Sequence, residues 1–373
     1  MWLREEATGW AGSHPAIRYG ACGSYDRSSA RARRALVSCP AMDSEKKLPC
    51  VVVAGGAGYI GSHMVRLLQD EGWRAVVVDT LATGHAQAVS GAPLHRIDIG
   101  DRAAMTALLR EEQPQCVMHF AAASLVGESM TAPAKYWHNN LVQTLALLDA
   151  MVECGVPRFI FSSTAAVYGN PVEVPITDRH PQEPINPYGN SKLAVERALR
   201  DYDSAYGLRS IALRYFNAAG AHPDGTLGER HEPETHLIPL VLQVASGRRE
   251  AIARFGSDFP TTDGSCIRDY VHVQDLCQAH LLALQRLVDG APSNVYNLGN
   301  GNGHSVDEVI AAARRVTGHP IPVRDAPRRE GDPPVLVADA ARARAELGWT
   351  PRYPDIDTII SHAWRWEQRL ARN

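Results

Sequence analysis

Cys50-Val51-Val52-Val53-Ala54-Gly55-Gly56-Ala57-Gly58-Tyr59-Ile60-Gly61 joins an unbroken apolar run to a glycine-rich turn. The run does not alternate, so it predicts a strand buried on both faces, the habit of a parallel sheet. Glycines at 55, 58 and 61 give the spacing G-x-x-G-x-x-G. They allow a tight turn, let the backbone approach a pyrophosphate, and let helix pack closely on strand. A helix opening at Tyr59 and Ile60 offers unpaired N–H groups and a positive dipole end to phosphate. An ordinary glycine turn needs no strand before it and no helix after it. The context therefore marks a dinucleotide fingerprint.

The same alternation continues outward. Short β-branched runs at 75–79, 116–120, 158–162 and 210–215 predict four more strands, separated by stretches long enough for helical crossovers. The fold class that follows is α/β: a Rossmann-like, doubly wound parallel sheet. Beyond about residue 217 the text becomes irregular, and helices resume near 235–247 and 274–288. Ser305-Val306-Asp307-Glu308 is a capping box opening an amphipathic helix that Gly318 closes. The expected division is a dinucleotide domain at 49–217, to which the chain returns around 268–290. A smaller α+β substrate domain takes most of 218–373.

Asp79 ends the second predicted strand, about twenty residues past the glycines, where a carboxylate accepts from ribose hydroxyls and repels a 2′-phosphate. No arginine follows it, since the run is Thr80-Leu81-Ala82-Thr83-Gly84. The expected cofactor is NAD rather than NADP. Asp98-Ile99, past the next strand position, lies in reach of the adenine; position alone supports a helix cap at Asp98 equally well.

Bulk properties narrow the function. The chain has 373 residues, 45% hydrophobic and 21% charged, as expected of a globular protein. A net charge of -3 leaves no electrostatic footprint for nucleic acid. No apolar run approaches the roughly 20 residues that span a bilayer. The seven cysteines are scattered with no C-x-x-C, which argues against a disulfide framework or zinc site and for a cytoplasmic location, and no metal is expected. Residues 1–48, rich in Gly, Ser, Ala and Arg, lack sustained periodicity and predict a disordered extension. Met42 is a natural initiator just ahead of the first strand.

Tyr188 and Lys192 stand four apart and so share a helical face. A phenol with a free pKa near ~10 is a poor base at neutral pH. An ammonium on the same face stabilises the phenolate, giving a group able to take a proton from an alcohol.

The order of glycine turn, Ser162-Ser163-Thr164 and Tyr188-x-x-x-Lys192 resembles the extended short-chain dehydrogenase/reductase family. More specific are His119-Phe120-Ala121-Ala122, Arg214-Tyr215-Phe216-Asn217, Arg268-Asp269-Tyr270-Val271-His272-Val273 and Arg328-Arg329-Glu330-Gly331-Asp332. They are similar to the branch that acts at C4 of UDP-sugars, and the likeness runs from residue 50 to about 370. It implies reversible 4-epimerisation of UDP-glucose and UDP-galactose through a 4-keto sugar, in galactose metabolism, by a homodimer. Tyr188 would be the base, Lys192 would hold the nicotinamide ribose and tune Tyr188, and Thr164 would bridge the sugar 4-hydroxyl. Contacts to NAD would come from Tyr59, Ile60, Asp79 through Gly84, Asp98, Ile99, Phe120, Ala121, Ala122, Ala123, Ser124, Asn139 and Phe216. The UDP end would fall to Asn217, Arg268, Arg329 and Asp332, with Phe255 near the uracil.

The same resemblance sets alternatives aside. Relatives that eliminate water carry an acidic pair after the Thr-type residue; here Ala165 and Ala166 stand there and can move no proton. Non-catalytic dinucleotide sensors tend to lose the Tyr or the Lys, and both are kept. Some positions depart from the pattern: Ala54 for Thr, Thr80 for Asn, Ser124 for Lys, and His236, before Leu237, for an Asn near the diphosphate. Leu336 stands where a tyrosine limits room around the sugar 2-substituent, leaving N-acetylhexosamine, pentose and uronate substrates open. Deleting residues 1–41 is expected to leave turnover intact; a truncated protein that folds but has lost its kcat would contradict this.

Overall fold

A computed structural model of the protein describes residues 48–89, 91–329 and 332–372. The expectations for residues 1–47, the extension and the initiator, lie outside the described residues.

The described chain begins with β1 (Cys50–Ala54), α1 (Tyr59–Asp70), β2 (Arg74–Val78), β3 (Leu94–His95), α2 (Arg102–Glu112) and β4 (Cys116–His119). There follow α3 (Val126–Thr131), α4 (Pro133–Tyr136), a π-helical turn at Trp137–Val142, α5 (Gln143–Cys154) and β5 (Arg158–Thr164). Next come α6 (Pro187–Tyr206), β6 (Arg209–Tyr215), β7 (Asn217–Ala219), α7 (Leu237–Ala245), β8 (Ile252–Phe255) and β9 (Ile267–His272). The last elements are α8 (Val273–Val288), β10 (Asn294–Leu298), β11 (Gly303–Ser305), α9 (Val306–Thr317), β12 (Val323–Ala326), β13 (Val335–Leu336) and α10 (Ile356–Leu370).

The main sheet has seven strands in the order β10-β6-β5-β4-β1-β2-β3, every pairing parallel. The order reverses at β1/β4, the switch point where ligands bind in such sheets. Alternate residues of β1 serve opposite faces. Val51 and Val53 pack with Met64 and Leu68 of α1 and Leu284 of α8, whereas Val52 and Ala54 pack with Met105 of α2 and Leu148 of α5. Two-sided burial is why these strands read as continuous apolar runs.

Two strands of this sheet escape the sequence reading. β3 is two residues long, and β10 rejoins the sheet only after the excursion through β7–β9. The run at 158–162 also continues to Thr164, because β5 stays paired with β6 as far as Tyr215.

A second sheet centres on β9, flanked by β7, β11 and β13. Its neighbouring core joins α7, α9 and α10 through Val241, Ile310 and Ile360. The capping box of α9 forms as read: Ser305 Oγ accepts from Glu308 N (3.1 Å), and Glu308 accepts from Ser305 N (2.9 Å). Gly318 closes the helix in the left-handed conformation at φ 71°.

The interior holds several histidines. Burial pushes His63 and His280 down to about 4 and His119 to about 3, so all three are neutral at neutral pH. The unfolded chain takes up these protons near pH ~6.5 while the folded protein refuses them until pH 4 or below. The stability they support is complete above pH ~6.5 and lost as pH falls toward their folded values. Each approaches a slope of about 1.4 kcal/mol per pH unit in that window. Guanidinium melts at pH 7.5 and pH 5 should differ by several kcal/mol; equal midpoints would contradict the assignment.

Candidate active site

The glycine turn is built at contact distance. Gly55 takes φ +79°, and a Cβ there would sit 2.5 Å from Ala121 N. A Cβ on Gly61 would run into the carbonyl oxygen of Gly55. Phe120 N and Ala121 N both donate to Ala54 O, at 2.7 and 3.1 Å, which draws the loop after β4 against the turn. Gly58 caps α1 without a side-chain hydrogen bond, and the first turn carries no acidic residue. The N–H groups of that turn thus remain for an anion.

Asp79 does more than the sequence implies. Its Oδ2 accepts from Ala57 N (3.0 Å) and its Oδ1 from Leu81 N (2.8 Å). It thereby ties the end of β2 to the glycine turn, and Leu81 turns left-handed beside it at φ 61°. A carboxylate has about four acceptor positions, so two remain for ribose hydroxyls. Gly84 closes on Ala57, whose carbonyl carbon would lie 2.9 Å from a Cβ. Asp98 is not the helix cap: Asp101 caps α2 through Ala104 N, while Asp98 accepts from Gly100 N (2.8 Å) and Gln143 (3.0 Å). Ile99 beside it is buried. These residues fit a dinucleotide: a bare helix terminus for the diphosphate and an anchored carboxylate with acceptors to spare.

One positioning residue went unread in the sequence. Asn140, fully buried in the π-helical turn, accepts from Ala123 N (2.9 Å) and donates to Ala123 O (3.0 Å) and Ser191 Oγ (3.0 Å). It clamps the Phe120–Ser124 loop to the helix that carries Tyr188 and Lys192. Its neighbour Asn139, the one singled out, donates to Asn140 Oδ1 (3.0 Å). The signal was weak: π-bulges favour functional sites, but no sequence period announces them.

Tyr188 and Lys192 lie in the first turns of α6. Asn186 caps it, accepting from Gly189 N at 2.8 Å, and Pro187 starts it. Gly189 is required because a Cβ would strike the carbonyl oxygen of Ala166. Thr164, at the end of β5, hydrogen-bonds the Tyr188 hydroxyl and so lowers its pKa. Burial is the larger effect and holds the hydroxyl above its ordinary value, contrary to the lowering expected from Lys192. The Lys192 ammonium is directed to Ser162 O (2.8 Å) and stands 4.7 Å from the Phe161 ring centre. Burial pulls Lys192 down to about 7, and Glu196 opposes that. Glu196 in turn pairs with Arg214, both nearly inaccessible, and accepts from Ser163 Oγ (2.5 Å). Tyr136 meets Tyr188 edge-on at 6.4 Å.

The residues expected at the UDP end are gathered by β9. Asn217 on β7 pairs with Tyr270, and Leu336 on β13 pairs with Arg268, two positions away along the same strand. Arg268 forms an ion pair with Asp332. Arg329 lies over the Phe255 ring at 4.1 Å. Leu336 and Phe216 pack on the cluster of Ala165, Val167 and Tyr168, directly after Thr164 in the chain. His236 precedes α7 and Leu237 opens it; the Nδ1 of His236 is engaged by Glu229.

A doubly wound sheet, a bare phosphate-ready helix terminus and a buried Tyr/Lys pair at its edge define a dinucleotide-dependent enzyme. The chain belongs to the NAD dependent epimerase/dehydratase family, whose model matches residues 51–299. It is 51% identical over 318 residues to the UDP-glucose 4-epimerase of Halalkalibacterium halodurans, covering 85% of this chain and 95% of that one. The UDP-glucose 4-epimerase of Brucella ovis, solved with NAD, superposes with a TM-score of 0.83 at 48% identity, covering 85% of this chain and 97% of that one. The enzyme of that name from Bifidobacterium longum, solved with NAD+ and UDP, gives 0.81 at 38% identity over 86% of this chain and 98% of the other.

Asn140→Ala breaks the clamp on Ala123 and leaves buried backbone groups unpaired. It should cost about 1–3 kcal/mol of stability and loosen the dinucleotide, read by denaturation and by NAD retained after gel filtration. Unchanged stability and retention would show that the clamp is idle.

Proposed function

We propose that the protein catalyses the reversible 4-epimerisation of UDP-glucose and UDP-galactose with NAD. The observation that carries this is the Tyr188 hydroxyl bonded to Thr164, one turn from buried Lys192, on the helix that Asn140 clamps to the loop packed against the glycine turn. The relatives named above act on the same sugar nucleotide. NAD, when bound, supplies a hydride acceptor that returns the hydride to the same carbon. Residues 49–217, with the returning segment around 268–290, hold it; the rest of the chain past 217 holds mainly the UDP-sugar.

Tyr188 takes the 4-hydroxyl proton and gives it back after the sugar has turned over, so no net oxidation occurs. Thr164 shares its hydrogen bond between Tyr188 and the sugar hydroxyl, guiding the proton along one line. Lys192 fixes the ribose and, when protonated, favours the phenolate. Ser162 O and Glu196 hold it where its proton is retained to about neutral pH. Ala165 and Ala166 leave the carbons beyond C4 without a proton donor, which keeps elimination from competing.

Asn217, Arg268 and Arg329 bind the diphosphate. Arg268 pairs with Asp332 and donates to the Ile267 carbonyl (2.7 Å), which together hold the guanidinium in one orientation for the ligand. Arg329 on Phe255 offers a stacked plane for the uracil end. Binding through the nucleotide leaves the hexose free to rotate, which inversion requires. A homodimer is supported by apolar side chains left exposed on α3 and the π-helical turn, Val126, Met130, Trp137 and Val142.

Tyr188→Phe should lower kcat by at least about 10²- to 10⁴-fold while NAD stays bound, measured as UDP-galactose conversion without added reductant. Near-normal turnover in the variant would refute the role.

A further inference from the structure

One cluster in the loop between β7 and α7 has no catalytic role above, although its last member, His236, stands where the diphosphate was expected. Glu229, His231, Glu234 and His236 present one ligand atom each, all within 4.8 Å of one another. Among the described residues this is the group of His, Cys, Asp and Glu side chains so arranged. His231 Nδ1 lies 3.2 Å from Glu229 Oε1 and 3.5 Å from Glu234 Oε1. His236 Nδ1 contacts the same Glu229 oxygen. We propose that these four side chains form a structural zinc site that fixes the loop entering α7.

The geometry carries the metal. Zinc bonds imidazole nitrogen and carboxylate oxygen at about 2.0–2.2 Å in a tetrahedron, whose edges are then about 3.3–3.6 Å. The two His231 separations lie close to that edge, whereas His236 touches Glu229 directly, so the ion would enter by parting that one pair. Two imidazoles and two carboxylates suit zinc better than calcium or magnesium, which take oxygen shells of six or more. Four protein ligands close the coordination sphere, as in structural rather than catalytic sites.

The surroundings hold the ligands in place, as outer-shell contacts do around metals. Glu234 Oε1 accepts from Thr235 N (2.8 Å) and His236 N (2.9 Å), which fixes its carboxylate beside His231 and leaves lone pairs on the carboxylate for the ion. The Glu229 carbonyl accepts from Trp366 Nε1 (2.8 Å). Glu229 is 6% exposed, and a carboxylate so buried requires positive charge beside it. A dication supplies that charge with both imidazoles neutral. The loop meets the cofactor side of the molecule: His231 stands edge-on to Tyr59 at 6.5 Å, and the Arg230 carbonyl lies 3.2 Å from His85 Nε2. Zinc would tie the segment carrying Leu237 to the start of α1.

The test uses untagged full-length protein, NAD-loaded, exposed to zinc chloride and passed through metal-free gel filtration. Elemental analysis should find about one zinc per chain in the wild type and under a tenth of that in His231→Ala and Glu234→Gln. A chelator should lower the melting temperature of the wild type by several degrees and leave both variants unmoved. Cobalt in place of zinc should give the intense visible bands of a tetrahedral site. Wild-type protein that emerges without stoichiometric zinc overturns the proposal, since protonated histidines alone would then balance Glu229. Zinc retained undiminished by both variants overturns it as well. If a variant fails to fold, the wild-type stoichiometry and cobalt spectrum decide.

Discussion

The structure depends on how closely three backbone segments meet at the end of β1. Gly55, the first turn of α1 and the loop from Phe120 approach with no room for a single added carbon at 55 or 61. That contact sets where the helix terminus points, and hence where a diphosphate can lie. It also fixes the loop after β4, because Phe120 and Ala121 share the Ala54 carbonyl. Asp79 completes the arrangement from the neighbouring strand. One carboxylate secures the turn and still has acceptor positions to spare, so the residue proposed to read the cofactor also builds its seat.

Behind the proposed base lies a buried polar network rather than a hydrophobic backing. Lys192 rests on Ser162 O, Glu196 pairs with Arg214, and Arg214 donates to Tyr168, which donates to Asn297 of β10. The chain of contacts links α6, β5, β6 and β10. Buried ion pairs contribute little net stability when intact but cost several kcal/mol when one partner is lost. Such a network fixes geometry, and it places Lys192 on Ser162 O beside the proposed base. Catalysis of this kind rests on orientation, and the cost of burying these charges is met by the surrounding core.

Much of this was legible. Continuous apolar runs marked strands buried on both faces, because sheet strands covered by helices have no solvent side to alternate toward. The glycine turn and the Ser305 capping box are local, set within a turn or two of chain, and both form as read, whereas burial raises the Tyr188 hydroxyl that Lys192 was expected to lower. Asp98 was less legible, since an Asp before a helix can cap it or turn the chain, and only the neighbouring Asp101 settles which.

By itself, then, the sequence determined the sheet's strand–turn–helix opening and the family, and it singled out the proposed reacting pair, because period and spacing act over a few residues. The tertiary structure alone decided the rest. Asn140, Glu196 with Arg214, and the meeting of Asn217, Arg268 and Leu336 along β9 join positions tens of residues apart. So does β10, which closes the sheet after a long excursion. Such contacts are set by register between strands and by packing across helices, and neither leaves a periodic trace in the chain. The clustering of Glu229, His231, Glu234 and His236 is close in sequence but equally silent, because a loop has no period to say which way its side chains turn.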